Sequence, residues 1–239
     1  MLSLRFGGFH QIFDVFLDRV CRAIAGGGDM SVELDATTYV HVKPTTAHSY
    51  ILPAVLDVLE SHFGGSAKND VFDLGCGTGG AAAALAQKGY HVVGVDPSSD
   101  GIAKANINYP ELPLQVGSAY DDLSREYGRF NAVISLEVVE HVYDPRAFTS
   151  TLYDLVKPGG VAVLSTPYHG YLKNLALAVM GKMDDHFMPL TDHGHIKFWS
   201  KNTLSTLLLD AGFDKVRFEF VGRIPVLAKS MIAVAQKSL

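Results

Sequence analysis

Glu137, Glu140 and His141 are the side chains in this sequence best placed to move a proton or hold a metal ion. They stand in the run Glu137-Val138-Val139-Glu140-His141, directly after an apolar stretch at 130–136 that reads as a strand. If 137–141 forms one helical turn, residues three and four apart share a face, and two carboxylates converge with an imidazole. Such a set at the carboxyl end of a strand can take a proton from a hydroxyl or ligate Mg²⁺, Mn²⁺ or Zn²⁺. A plainer alternative stands beside it: Glu140 and His141 brace the helix that starts near Asp144, and Glu137 faces solvent or a bound ligand.

A second stretch speaks to ligand binding. Gly75, Gly77 and Gly80 satisfy G-x-G-x-x-G between a strand and a helix, and Asp96 ends the next strand about twenty residues later. Glycines let a backbone approach a nucleotide, and the acid takes ribose hydroxyls. On spacing alone this suits a nicotinamide dinucleotide. Asp73 tilts the choice, because a carboxylate two residues before the first glycine repels a diphosphate but attracts an ammonium or sulfonium.

The surrounding pattern alternates apolar strands with amphipathic helices, the rhythm of a parallel sheet. Strands are expected at 71–75, 91–95, 112–116, 130–135 and 161–165, with two more near 215–221 and 230–236. Helices are expected at 46–63, 79–88, 99–108, 201–211 and from Asp144-Pro145 to near 157. About thirty-five residues separate the fifth strand from the helix at 201, far beyond the ~2–6 of an ordinary βα connection. Residues 167–200 are therefore read as a lid or substrate wall, carrying His169, His186, His193, His195 and an apolar run with Leu172, Leu175, Leu177, Val179, Met180, Met183 and Met188. Residues 1–45 are read as an N-terminal helical extension with an apolar stripe from Phe9 to Val20, and 46–239 as the main domain.

With 239 residues, 48% hydrophobic and 19% charged, the chain can bury a full core and is not disordered throughout. A net charge of −5 gives no general attraction to nucleic acid, and Lys and Arg are sparse in 161–200. Two cysteines, Cys21 and Cys76, are too few for a disulfide framework, and a cytoplasmic setting is expected. Asp14, Asp18 and Arg19 interrupt the N-terminal apolar run, which argues against a secretion signal, and no stretch is long enough to span a bilayer. Peripheral membrane contact through the N-terminal stripe stays open, and the sequence does not fix an oligomeric state.

The run Asp73-Leu74-Gly75-Cys76-Gly77-Thr78-Gly79-Gly80, followed by Gly94-Val95-Asp96, closely resembles the S-adenosylmethionine (SAM)-binding motifs of class I methyltransferases. The resemblance covers 71–236 and includes Lys157-Pro158-Gly159-Gly160 and Ala211-Gly212-Phe213, although Val156 lengthens the first of these by one residue after Leu155. It implies an α/β, doubly wound Rossmann-like sheet of seven strands with the lid inserted after the fifth. It also implies that Asp73, Gly75, Cys76, Gly77 and Gly79 hold the methionine end of SAM and that Asp96 holds the ribose. Ser118 and Ala119 would lie at the adenine edge, with Pro97, Leu136 and Glu137 as further contacts; the family often has an acid where Ser118 stands.

The Glu-x-x-Glu-His run, together with Ser165-Thr166-Pro167, resembles two subfamilies, the ubiquinone-pathway O-methyltransferases and the small-RNA 3′-terminal 2′-O-methyltransferases. In the latter these residues ligate a divalent metal with a later histidine four residues before a tryptophan, a spacing repeated by His195 and Trp199. The implied metal set is Glu137, Glu140, His141 and His195, and the implied catalytic groups are His141, His195 and Glu140. The expected function is SAM-dependent O-methylation of a small hydroxylated acceptor, with the apolar run in the lid suggesting a hydrophobic one. A nicotinamide oxidoreductase and a non-catalytic SAM-binding protein remain as alternatives, and RNA is the weaker acceptor.

Overall fold

The computed structural model describes residues 47–64, 69–187, 189–191 and 194–239. The expected helix within 1–45, Met188 and His193 lie outside them. In chain order the elements are α1 (His48–Phe63), β1 (Asp70–Leu74), α2 (Gly80–Gln87), β2 (His91–Asp96), α3 (Ser99–Asn108), β3 (Leu114–Val116), α4 (Leu123–Tyr127) and β4 (Phe130–Leu136). They continue with α5 (Pro145–Leu155), β5 (Val156–Pro167), α6 (Tyr171–Val179), α7 (Met183–Phe187), α8 (Lys201–Asp210), β6 (Lys215–Val221) and β7 (Ser230–Gln236).

Because a strand points successive side chains to opposite faces, each apolar strand feeds two cores. Val71 of β1 packs with Ile51, Val55, Ala82, Leu85 and Ile102 on one side. Phe72 and Leu74 pack with Phe148, Leu152, Leu155, Leu204 and Leu208 on the other. The seven strands run in the order β3-β2-β1-β4-β5-β7-β6. The first five are mutually parallel, and β7 lies antiparallel between β5 and β6. This is the α/β sheet expected from the sequence. The order reverses between β1 and β4, and at such a point the two loops part and leave a crevice at the carboxyl edge.

Several local readings are corrected. Residues 137–141 form turns rather than a helical turn, so Glu137, Glu140 and His141 do not share a helix face. The Lys157-Pro158-Gly159-Gly160 run is drawn into β5 through an irregularity: Phe130 pairs with Val156, but Ala132 pairs with Val161. Gly159 takes φ 77° there, and a Cβ on Gly160 would stand 2.8 Å from the Asn131 carbonyl. Helix α4 was not legible, since five residues are too few to show periodicity. On α6 the apolar residues split: Ala176 and Leu177 are buried, whereas Leu172, Leu175 and Val179 are about half exposed.

Helix α5 is fixed at its start by Asp144, whose Oδ1 accepts the backbone N–H groups of Arg146 (3.1 Å) and Ala147 (3.0 Å), with Pro145 at the first helical position. Asp144→Ala should lower unfolding free energy by about 1 kcal/mol with an unchanged urea m-value. A loss below the error of the urea titration would mean that this cap contributes nothing.

Candidate active site at the carboxyl edge of the sheet

The loop after β1 and the loop after β4 meet at the crevice. Gly75, Gly77 and Gly79 all take positive φ (88°, 54° and 80°), which only glycine adopts without strain. A Cβ on Gly75 would sit 2.6 Å from Val138 Cγ2, so the loop after β4 packs directly on the glycine loop. The Gly75 and Cys76 N–H groups donate to the Val95 carbonyl at 2.8 and 3.0 Å. Asp96, at the end of β2, accepts the Gly77 N–H at 2.9 Å and the Ser98 N–H at 2.9 Å, which aims its carboxylate at the loop.

Asp73 is buried, and its Oδ2 has no hydrogen-bond partner. Burial and the neighbouring Asp96 push its pKa up to about 7. An orphaned carboxylate beside a loop of left-handed glycines is costly unless a cation joins it. Burial and the same two acids push the Cys76 thiol up, so it is no nucleophile. Pro97 is exposed beside Asp96, and Ser118 and Ala119 are half-buried at the end of β3. The Ser118 N–H donates to Asp121 at 2.7 Å, putting an acid three residues beyond the position where one was looked for.

After β4 the chain turns sharply. Glu137 has φ 56°, the left-handed conformation among non-glycine described residues. Its N–H donates to Ser165 Oγ (2.9 Å) and to the Ser165 carbonyl (3.1 Å), and Ser165 Oγ donates to Glu137 Oε1 at 2.8 Å. Ser230 Oγ donates to Oε2 at 3.5 Å. Burial raises the Glu137 pKa to about 7 against the lowering effect of the two serines and Lys173.

Glu140 has no such partners. Its carboxyl is fully buried and neither oxygen has a hydrogen-bond partner, although the Thr166 hydroxyl approaches it outside hydrogen-bond geometry. Burial first, then Glu137, push its pKa well above the usual carboxylate range. Donor atoms of Glu140, His141 and His195 all lie within 4.8 Å of one another. Glu140 Oε1 is 4.0 Å from His195 Nε2, and the two imidazoles meet edge to face at 4.9 Å between centroids. Burial, then His141 and His186, lower the His195 pKa to about 4. With the proton on Glu140, His195 is neutral and gains no charge partner.

The segment bearing His195 is pinned by its backbone. The Glu140 carbonyl accepts the N–H groups of Ile196 and Lys197, both at 3.0 Å, and Trp199 Nε1–H donates to the Val139 carbonyl at 3.0 Å. These bonds explain why a histidine far along the chain reaches the loop after β4. The structure therefore brings three of the four expected metal-binding side chains together and sends Glu137 to the two serines. Sequence reading missed Ser165 and Ser230 as its partners, because serines on buried strands give no periodic signal. It also left Lys173 and Tyr50 unremarked, although both act electrostatically with Glu137.

A profile of the methyltransferase domain family matches residues 47–217. The ubiquinone biosynthesis O-methyltransferase of Cereibacter sphaeroides is 33% identical over 150 residues, 61% of this chain and 60% of that one. The enzyme of the same name from Azorhizobium caulinodans is 34% identical over 172 residues, 67% of each chain. The chain thus spans about three fifths of the length of the first of these relatives. Among solved structures, the magnesium protoporphyrin IX methyltransferase from Synechocystis, determined with bound S-adenosylhomocysteine (SAH), superposes with a TM-score of 0.59 at 25% identity, covering 94% of this chain and 95% of that one.

The contact of Gly75 with Val138 makes a direct test of the packing. Gly75→Ala is expected to lower stability by about 1–3 kcal/mol, from left-handed strain plus the clash. Adding Val138→Ala should recover the steric part only. Thermal unfolding of the single and double variants measures both, and equal stability of wild type and Gly75→Ala would refute the packing.

Proposed function

The chain belongs to the methyltransferase domain family, and on that premise we propose that it transfers a methyl group from SAM to an oxygen of a small hydroxylated acceptor. The observation that carries this reading is the pair of orphaned acids at the strand-order reversal, Asp73 near the end of β1 and Glu140 in the loop after β4. Asp73 Oδ2 fits the ammonium of a methionine moiety, the left-handed glycines leave room for the ligand, and Asp96 is aimed to receive ribose hydroxyls. Pro97, Ser118, Ala119 and Glu137 follow β2, β3 and β4 at the same edge, and Leu136 is the last residue of β4. Bound SAM supplies an electrophilic methyl on a sulfonium.

The chain's part is then orientation and proton removal. Holding the acceptor oxygen in line with the methyl group can contribute up to ~7–11 kcal/mol of the barrier reduction. The oxygen must also lose its proton, and the groups supported for that are His141 and His195 beside Glu140. A divalent ion also fits these three residues, because one carboxylate and two imidazoles suit Zn²⁺ or Mn²⁺ and the buried Glu140 carboxyl lacks any other partner. Such an ion would supply Lewis acidity toward the acceptor oxygen. Glu137 is bonded to Ser165 and Ser230 and does not group with the other three, so it is left out of the ion's set. The half-exposed apolar residues of α6 give little support to a hydrophobic pocket wall there, so the hydrophobic character of the acceptor rests on the sequence pattern.

Two experiments test this reading. Asp73 sits near pKa 7 without ligand and is held ionised by a cationic one, so SAH binding releases a proton. Affinity measured by calorimetry should rise by up to about tenfold per pH unit below 7 and level off above it, and Asp73→Asn should flatten the profile. A flat wild-type profile would remove Asp73 from the site. For the other half of the site, metal analysis and methyl transfer from labelled SAM to a panel of phenols and alcohols are compared across variants. Glu140→Gln and His195→Ala should each lose bound metal and about a hundredfold or more of the rate. Unchanged metal content and rate in both would refute the cluster.

A further inference from the structure

Helix α6 shows an apolar face that the other described residues leave uncovered. Leu172, Leu175 and Val179 are each about half exposed, and at the α-helical repeat they fall within an arc of about 60°. The adjoining arc carries Ala176 and Met180, which pack on Leu227. Leu227 ends the short 3₁₀ turn Pro225–Leu227 in the connection from β6 to β7, and Ile224 and Val226 beside it are 62% and 51% exposed. The two segments therefore present their exposed apolar residues side by side. Residues 168–183 and 222–230 also contain Lys173, Lys182, Arg223 and Lys229 and no acid, so the surface is rimmed by positive charge.

The chain enters the domain at the same place. Tyr50, in the first turn of α1, has Lys229 Nζ 5.5 Å from the centroid of its ring. Lys229 stands just after the 3₁₀ turn. Its N–H donates to the Val221 carbonyl at 3.0 Å, and its carbonyl accepts the Tyr168 N–H at 2.9 Å. The start of α1, the end of β6 and the run from β5 into α6 thus meet at Lys229, and the residues before 47 enter beside the uncovered face. Those residues lie outside the described ones, but their sequence places Phe9, Ile12, Phe13, Phe16, Leu17 and Val20 at helical spacing, with Asp14 and Asp18 next to the stripe. The connecting stretch 21–46 can reach up to ~90 Å, against ~14 Å for the length of α6. A segment tethered in this way meets a nearby surface at an effective concentration on the order of millimolar.

We propose that residues 9–20 of this same chain dock as an amphipathic helix on the face made by α6 and the β6–β7 connection. The aromatic and aliphatic stripe covers Leu172, Leu175, Val179, Ile224 and Val226, and removing apolar surface from water on both sides favours the contact. Asp14 and Asp18 face the cations of the rim. The tether selects this occupant: a second copy or an anionic lipid surface meets the face only at its bulk concentration. The inference does not depend on the reaction that the protein catalyses.

The test uses the full chain with a nitroxide on Cys21, the residue after the stripe, the other cysteine, Cys76, being buried. Methyl signals of Leu172, Leu175 and Ile224 should broaden, and that of Ile107, on α3 toward the opposite edge of the sheet, should not. The broadening should persist when isotope- and nitroxide-labelled protein is diluted into plain protein. Phe13→Asp with Phe16→Asp, and separately Leu175→Asp with Val179→Asp, should each abolish it at Leu172 and Ile224. The second pair replaces residues that are already half exposed, and cooperative melting confirms that each variant is folded. Unbroadened Leu172 and Ile224 signals in the wild type would overturn the proposal. Broadening that fades on dilution into plain protein would overturn it too, by assigning the face to a second copy. So would a wild type that shows no broadening in solution yet binds phosphatidylcholine–phosphatidylserine vesicles, with that binding lost in Leu175→Asp with Val179→Asp, because the occupant is then a lipid surface.

Discussion

Two carboxylates, Asp73 and Glu140, are held in the protein interior with oxygens that accept no hydrogen bond. In an isolated domain that is a cost of several kcal/mol unless the groups take up protons, and both have pKa values raised in that direction. Much of the rest of the architecture serves to keep them there. Five parallel strands with apolar residues on both faces fix the two loop origins, and Ser135 Oγ, donating to the Leu74 carbonyl at 2.6 Å, ties β4 to β1 where those loops part.

The second organising feature is made of backbone rather than side chains. The carbonyls of Val139 and Glu140 accept three N–H groups from the 196–199 segment, so one short loop both presents Glu140 and captures the chain that carries His195. The segment between β5 and α8 thus has a fixed end at the candidate active site, while Leu172, Leu175 and Val179 of its helix α6 stay largely at the surface. Asp73 and Asp96 thus lie beside the glycine loop, and His141 and His195 group with Glu140 beyond the end of β4.

Most of the fold was legible in the chain because its signals are local. Apolar runs with period two, alanine-rich and capped helices, and glycines at a strand-to-helix turn all act within a few residues. The misreadings fall where a local pattern is overruled by distant contacts. Residues 156–160 read as the end of a helix and a turn but are held to β4 and to the residue after the last strand, where Lys237 N–H donates to the Gly160 carbonyl at 3.1 Å. Helix α4 is too short to announce itself.

By itself the sequence determined the sheet, the glycine loop with Asp73 and Asp96, and the residue types available for proton and metal chemistry. Only the tertiary structure decided how those residues divide. A three- and four-residue spacing predicts that Glu137, Glu140 and His141 act together, yet Glu137 takes a left-handed backbone and its carboxylate accepts from Ser165 and Ser230, whereas the donor atoms of Glu140 and His141 group with His195. His195 joins Glu140 and His141 because Trp199 and two backbone amides bind the same loop. Spacing constrains neighbours along the chain; the direction of a side chain beyond the end of a strand is set by whatever the fold brings against it.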